Sequence, residues 1–147
     1  MLLKKLENNG QIRATYSSTN IVASTYDKTT KDLTIIFANG GQYKYKDVSL
    51  TDYTRFELAD SQGAVHNTHI KRHTFETLAK VNTAVLLAEI TQLKDAEKKQ
   101  LLEDSSIVMA HKLQAILTHH SVTGHIDADL FKKGLDAMVD YKAKLEA

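Results

Sequence analysis

The chain has 147 residues without cysteine or proline, and its 19 basic side chains nearly balance 18 acidic ones. This length suits one domain, or one small domain with a helical extension, and is long enough to bury a core without disulfides. The lack of cysteine excludes disulfides, thiolate zinc sites and thiol nucleophiles. The apolar stretches at residues 1–6 and 85–88 are too short for a signal-peptide core or a membrane span, so we expect a soluble, cytoplasmic protein.

The charge is unevenly distributed along the chain. Residues 1–75 carry ten Lys and Arg against seven Asp and Glu, whereas residues 76–147 carry nine against eleven. A basic excess of this size fits either a nucleic-acid contact or an ordinary solvated surface.

The first half of the chain is predicted to form β-strands. Residues 20–26 are rich in β-branched side chains, and residues 32–38 place apolar side chains on one face by alternation. A third strand, residues 42–48, follows the glycine-containing turn at residues 39–41. The pattern predicts an α+β protein built on a three-stranded antiparallel β-meander.

A helix is predicted to follow the meander and to cover one face of the sheet. Ser49 has the position of an N-cap, Tyr53 and Phe56 fall on one side of the helix, and Gly63 is a plausible stop. Residues 64–73 fit either a further helical turn or an ordered loop.

The second half reads as a helical extension of about three helices. The first is predicted to begin at Thr74 or Phe75 and to lose its apolar pattern at residues 97–100. We therefore predict two parts: a β-meander with its helix at residues 1–74, and an extension at residues 75–147 that packs on it or mediates dimerisation.

The other two helices carry apolar stripes that are expected to point inward. One is predicted to be capped by Ser105 or Ser106 and to stop near Gly124, and the last to start at Asp127. The stripes are Ile107, Ala110, Leu113 and Leu117 in the former helix, and Leu130 or Phe131, Leu135, Met138 and Leu145 in the latter. They exceed what a small sheet can cover, which predicts either a self-contained bundle or a homodimer.

A series of short motifs runs through residues 17–73. They are Ser17-Ser18, Tyr26-Asp27, Leu33 through Phe37, Tyr43-Lys44-Tyr45, Ser61-X-Gly63, Asn67 and Ile70-Lys71. Together they resemble the KTSC domain, a module at the C-terminus of some lysyl-tRNA synthetases and a free-standing bacterial and phage protein. The resemblance covers about two-fifths of the chain, and it implies RNA binding rather than catalysis.

The chain departs from the family pattern at two points. Ser49 stands where a proline is expected, and Ala64-Val65-His66 stands where family members tend to have aromatic residues. If those aromatic residues form a binding surface, it is altered or lost in this chain.

The tyrosines of the third strand have two interpretations. Tyr43 and Tyr45 share one face of the strand, while Lys44 and Lys46 share the other. Aromatic rings that stack on bases, beside lysines that meet phosphates, are typical of single-stranded nucleic-acid binding. Alternatively, both rings line the face against the helix and satisfy their hydroxyl groups at its edge.

Residues 67–73 form a polar, basic segment with the composition of an anion contact or of a solvated loop. Its candidate binding residues are Asn67, His69, Lys71 and Arg72.

The sequence predicts no metal site, no cofactor and no enzymatic activity. His66, His69 and His73 would share a helix face, but their row extends over nearly two turns, too far for three ligands of one ion. Neither a nucleophile-elbow motif nor a phosphate-binding glycine-rich loop is present.

The leading functional prediction is a non-catalytic accessory protein that binds RNA or single-stranded nucleic acid. The predicted site residues are Tyr43, Lys44, Tyr45, Lys46, Asn67, His69, Lys71 and Arg72. The alternative is a protein-interaction or assembly module, such as a phage or bacterial factor that binds and blocks or recruits a host protein through its helical half. A small-molecule or nucleotide pocket between sheet and helices is a third interpretation.

Overall fold

The computed structural model describes all residues, from Met1 to Ala147. The chain forms two compact units, residues 1–94 and residues 95–147. None of the helices combines the length and the hydropathy required to cross a bilayer.

The first unit is built on a six-stranded antiparallel sheet in which each strand pairs with its sequence neighbours. The strands are β1 (Leu2–Asn8), β2 (Gln11–Tyr16), β3 (Ile21–Asp27), β4 (Leu33–Phe37), β5 (Gln42–Tyr45) and β6 (Phe75–Leu78). The α+β class is confirmed, and the predicted meander corresponds to β3, β4 and β5.

The prediction of only three strands was wrong, because β1, β2 and β6 extend the sheet on both sides. β1 and β2 meet at a tight turn in which Asn9 and Gly10 both have positive φ, 50° and 77°. An Asn-Gly pair in this conformation matches the twist of an antiparallel hairpin.

Three short elements lie between β5 and β6: α1 (Leu50–Glu57), α2 (Gln62–Val65) and a π-helical segment (His66–Ile70). The Ser49 hydroxyl accepts from the Asp52 amide at 3.1 Å, so the predicted N-cap is confirmed. The predicted stop at Gly63 was wrong, because α1 ends before it and Ser61 caps α2.

The core lies between the sheet and α1. The rings of Tyr26 and Tyr53 stack with centroids 4.3 Å apart, and those of Tyr16 and Phe56 meet edge to face at 5.5 Å. Both helix rings are buried, as their spacing predicted. Fully buried aromatic pairs of this kind add to the free energy of folding beyond their buried area.

The long helix α3 (Ala84–Thr123) was predicted to begin at Thr74 or Phe75 and to be interrupted near residues 97–100; both expectations were wrong. Phe75 opens β6 because the β5 edge offers it backbone partners, and the helix is continuous through the polar residues 97–100. Ser105 is therefore no cap, and its hydroxyl instead donates to Asp140 at 3.0 Å.

The second unit is a helical hairpin, made of α3 from Asp95 onward and α4 (Ala128–Glu146). The extension thus has two helices rather than about three. The predicted stop near Gly124 and the predicted start at Asp127 are confirmed, since Gly124 has φ +74° and the Asp127 carboxylate accepts from the Leu130 amide at 2.8 Å.

The two helices of the hairpin pack closely at Gly134, where an added Cβ would lie 2.8 Å from Ile116 Cδ1. The side of α4 toward α3 contains Gly134 and the half-buried residues Leu130, Ala137 and Tyr141. The predicted inward stripe of α4 is therefore one residue out of register, because Phe131, Leu135, Met138 and Leu145 are exposed.

Candidate functional site

A pocket of about 300 Å³ opens at the β5–β6 end of the sheet, on the face that carries the core. We call it the aromatic pocket. It is lined by Phe37, Asn39, Tyr43, Tyr45, His66, Lys71 and Phe75.

The β4–β5 hairpin positions the first wall of the aromatic pocket. Its turn contains Gly40 at φ +86°, where an added Cβ would lie 2.5 Å from the Val81 carbonyl oxygen. The Val81 amide in turn donates to the Gly40 carbonyl at 3.0 Å. The Asn39 side-chain oxygen accepts from the Gly41 amide at 2.9 Å, which leaves the Asn39 NH₂ group available at the rim.

Side-chain alternation and strand pairing place aromatic rings from three neighbouring strands side by side. Tyr45 pairs with Phe75 across β5 and β6, and Phe37 lies at the end of the neighbouring strand β4. The ring centroids of Tyr43 are 5.6 Å from Phe37 and 6.0 Å from Phe75, both nearly edge to face. Tyr45 is only 4 % exposed whereas Phe75 is 52 % exposed, so Tyr45 forms the floor and Phe75 an open side.

His66 closes the aromatic pocket from the helical side. Its ring lies 5.5 Å from those of Phe37 and Tyr45. Burial lowers the pKa of His66, so the imidazole is neutral at pH 7. The Tyr45 hydroxyl can therefore donate to Nε2 at 2.7 Å, and burial raises the pKa of Tyr45 and keeps that proton in place.

The π-helical segment brings a lysine to the same opening. The Lys71 amide donates to the His66 carbonyl five residues earlier at 2.8 Å, which places both residues at the aromatic pocket. The Lys71 side chain is exposed and makes no ion pair. π-Helical turns are frequent at functional sites.

Two predicted site residues, Lys44 and Lys46, lie away from the aromatic pocket. Lys44 is on the opposite face of the sheet, as alternation requires, and its Nζ is 3.6 Å from Glu76. The Nζ of Lys46 is 3.4 Å from Asp32 and 3.9 Å from Glu76. The structure therefore brings together Tyr43, Tyr45 and Lys71 of the predicted set.

The remaining predicted residues have other partners or face solvent. Arg72 donates to Asp52 at 3.0 Å, the His69 ring lies 2.7 Å from the Thr68 hydroxyl, and the Asn67 side chain is exposed. His73 faces Asp52 at 3.9 Å. No group of three His, Asp or Glu side chains is placed to hold a metal ion.

Four residues of the aromatic pocket were not among the predicted site residues: Phe37, Asn39, His66 and Phe75. Phe37 had the right face by alternation, but nothing in the sequence marked it as more than core. Phe75 was missed because residues 75–78 were assigned to a helix. His66 was considered in the sequence only as a metal ligand, and its ring instead lies against those of Phe37 and Tyr45.

The pocket combines ring faces with a single unpaired cation and one free amide donor. Its volume is at the lower end of the roughly 300–1,000 Å³ range of ligand pockets. Such a lining suits a flat aromatic group that carries or adjoins an anion. A larger hollow of about 440 Å³ at the β1–β2 hairpin contains no ring side chain.

Comparisons with known proteins found one solved structure and one family model that are similar to this chain. A solved KTSC domain protein from Yersinia pestis is 27 % identical with a TM-score of 0.45, and the alignment covers 47 % of this chain and 99 % of that one. No curated protein matches the chain. The family model of the KTSC domain matches residues 17–75, a range that contains every residue of the aromatic pocket. The predicted resemblance is thus confirmed, because residues 17–75 of this chain match the model of the KTSC domain family.

Proposed function

We propose that this protein is a non-catalytic, cytoplasmic binding protein for single-stranded nucleic acid, with RNA as its ligand, and that the aromatic pocket receives one base. The observation that carries the proposal is the convergence of five ring side chains on one opening beside the unpaired Lys71.

Stacking supplies the affinity in this proposal. A base that stacks on an aromatic ring contributes roughly 1–3 kcal/mol, judged by alanine substitution. Tyr43 and Phe75 are the accessible rings, while Tyr45 is held beneath them by its hydrogen bond to His66. Stacking accepts every base, so we expect little sequence preference.

Electrostatic attraction is a minor contribution in this proposal. Lys71 is the cation at the aromatic pocket, whereas Lys44, Lys46 and Arg72 are engaged by carboxylates. One neutralised phosphate gives a log–log salt slope of about −0.7 on a single strand. Binding should therefore be weak and only mildly sensitive to salt.

The test is fluorescence anisotropy of a labelled RNA of about ten nucleotides, measured between about 50 and 200 mM salt. Lys71→Ala should weaken binding and flatten the salt dependence. Lys44→Ala removes the same charge from the opposite face and should leave both unchanged. Absence of RNA binding by the folded wild-type chain, or equal effects of the two lysine variants, would refute the proposal.

The rings provide a second arm of the same test. Phe75→Ala should weaken binding on the order of tenfold, in line with the stacking contribution, whereas Phe75→Tyr keeps the ring and should stay near wild type. Equal losses from both substitutions would mean that stacking on this ring is not involved.

A second candidate function, a protein-interaction or assembly module, is favoured by a different observation. In residues 95–147, large apolar side chains are exposed and none is buried. This surface belongs to the helical hairpin and is independent of the aromatic pocket.

A further inference from the structure

The helical hairpin has no closed core of its own. Only Ser105 and Gly134 are buried among its 53 residues, and eleven large apolar side chains are exposed. These are Leu101, Ile107, Val108, Leu117, Val122, Ile126, Phe131, Leu135, Met138, Val139 and Leu145. Units of this size rarely reach useful stability on one sparse core and commonly gain it by association.

α4 carries two parallel heptad seams instead of one. The first seam contains Leu130, Gly134, Ala137, Tyr141 and Lys144, with steps of four, three, four and three residues, and it faces α3. The second seam is shifted by one residue and contains Phe131, Leu135, Met138, Lys142 and Leu145. Its four apolar members are 44–53 % exposed. A helix with two adjacent seams is built to contact two neighbouring helices.

α3 contributes to the same side of the hairpin. A groove of about 420 Å³ is lined by Leu102, Glu103, Ser106 and Ile107 of α3 together with Tyr141 and Leu145 of α4. On α3, Ser106, Ala110 and Leu117 follow one another at steps of four and seven residues. The apolar face therefore spans both helices.

The charges of the hairpin favour a neutral partner. Residues 95–147 hold nine Asp and Glu and seven Lys, without any arginine. Several of these charges pair along their own helix, among them Lys133 with Asp129 at 2.6 Å and Lys144 with Asp140 at 2.8 Å. No strong field remains to attract a nucleic acid, an anionic membrane or a charged peptide.

The dimensions fit a partner of the same kind. α4 is about 28 Å long and two adjacent helices are about 20 Å across, so the projected face is on the order of 600 Å². Stable interfaces bury roughly 800 Å² of accessible surface per partner, which is comparable. A second hairpin presents the same seam at the same length, and a two-fold axis through it makes the contact self-complementary.

We propose that the helical hairpin is a homodimerisation module: two copies pack their Phe131–Leu135–Met138–Leu145 seams together and complete a four-helix bundle. Lys142 is the one polar residue of this seam, and its Nζ is 3.8 Å from Glu146. A polar side chain inside a seam fixes register at a cost in stability. The dimer would carry two aromatic pockets.

The test is the mass of the full chain in solution, by light scattering and sedimentation equilibrium. We expect twice the chain mass of 16.4 kDa. The double substitution Leu135→Lys with Met138→Lys should reduce the mass to that of the monomer. Ala143→Lys adds a lysine at an exposed position outside both seams of α4 and should leave the dimer intact. A monomeric wild-type chain, or a double variant that remains dimeric, would overturn the proposal.

A cross-linking experiment tests the same interface if the double variant does not fold. The chain contains no cysteine. A single introduced cysteine can therefore form a disulfide only with the same cysteine of a second copy. Met138→Cys should form an intermolecular disulfide on mild oxidation, and Ala143→Cys should not. Equal cross-linking of both, or of neither, would contradict the proposed interface even if the chain were dimeric. A larger partner that replaces self-association would show as a monomeric purified chain, which also contradicts it.

Discussion

Gly40 ties the aromatic pocket to the segment that follows β6. Its positive φ strains any other residue by about 1–2 kcal/mol, and an added Cβ would lie 2.5 Å from the Val81 carbonyl oxygen. Gly10 has a similar φ of +77°, but the nearest atom to its added Cβ is 3.8 Å away. Alanine substitutions at the two glycines therefore distinguish the cost of backbone strain, which both share, from the cost of a steric clash, which arises only at Gly40.

We expect Gly40→Ala to lower the free energy of unfolding clearly more than Gly10→Ala, because only the former adds a clash to the strain. Urea denaturation of both variants measures the difference. Equal losses in the free energy of unfolding would show that the backbone around Val81 shifts without cost and does not constrain the turn.

His66 makes the stability of the first unit depend on pH. Burial holds the pKa of His66 below its ordinary value of 6.5. As the pH falls below 6.5, the unfolded chain takes up this proton before the folded chain does, so the contribution of His66 to stability is lost on acidification. Protonation also removes the acceptor for the Tyr45 hydroxyl.

The measurement is the free energy of unfolding at about pH 7.5 and about pH 5.5, on either side of the ordinary histidine pKa. The loss on acidification should be smaller in His66→Gln, which keeps an acceptor but does not titrate. The other histidines contribute equally to the loss of stability in the wild-type chain and in the variant. An identical loss in the variant would remove His66 from the explanation.

Most strands of the sheet follow from local sequence patterns. The alternation of residues 33–37 and the turn at residues 39–41 were sufficient for β4 and β5. Asn9-Gly10 is an equally strong hairpin signal and predicts β1 and β2 once it is considered.

β6 could not be found in this way. It is four residues long, and its apolar residues also fit a helix. Phe75 becomes a strand residue because Tyr45 and its neighbours present an open sheet edge, which is a tertiary effect that overrides local pattern. The aromatic pocket depends on this long-range pairing, which explains why Phe75 was absent from the predicted site residues.

The helices show the limit of periodicity. Two seams one residue apart both have helical spacing, so the pattern of α4 alone does not say which seam faces α3. Gly134 decides it, because the absence of a side chain permits close approach to Ile116.

The N-cap of α1 should contribute measurably to the stability of the first unit. Ser49→Ala removes the acceptor for the Asp52 amide and should lower the free energy of unfolding by about 1 kcal/mol, whereas Ser49→Gly should lower it by only a few tenths. Chemical denaturation measures both. A smaller loss for the alanine variant than for the glycine variant would contradict the capping role.

On the scale of the whole molecule, the two units are assigned separate tasks. The aromatic pocket lies within residues 1–94, and the proposed dimer contact lies within residues 95–147. A fragment of residues 1–94 keeps β6 and the Val81 segment, whereas a fragment of residues 1–73 lacks both Phe75 and Val81.

We expect the fragment of residues 1–94 to bind RNA with an affinity per site close to that of the full chain, and to be monomeric. The shorter fragment should lose binding. Anisotropy titrations, with circular dichroism to check folding, compare the two. Loss of binding by a folded fragment of residues 1–94 would place RNA affinity in the helical hairpin.

Base binding at the aromatic pocket is tested most directly by an aromatic ¹H–¹³C NMR titration of the full chain with a short single-stranded RNA. We expect the resonances of Phe37, Tyr43 and Phe75 to shift together as RNA is added, while those of the buried core rings of Tyr16 and Tyr53 stay in place. RNA that leaves the rings of the aromatic pocket unmoved, or that shifts only residues around Lys44 on the opposite face, would contradict it.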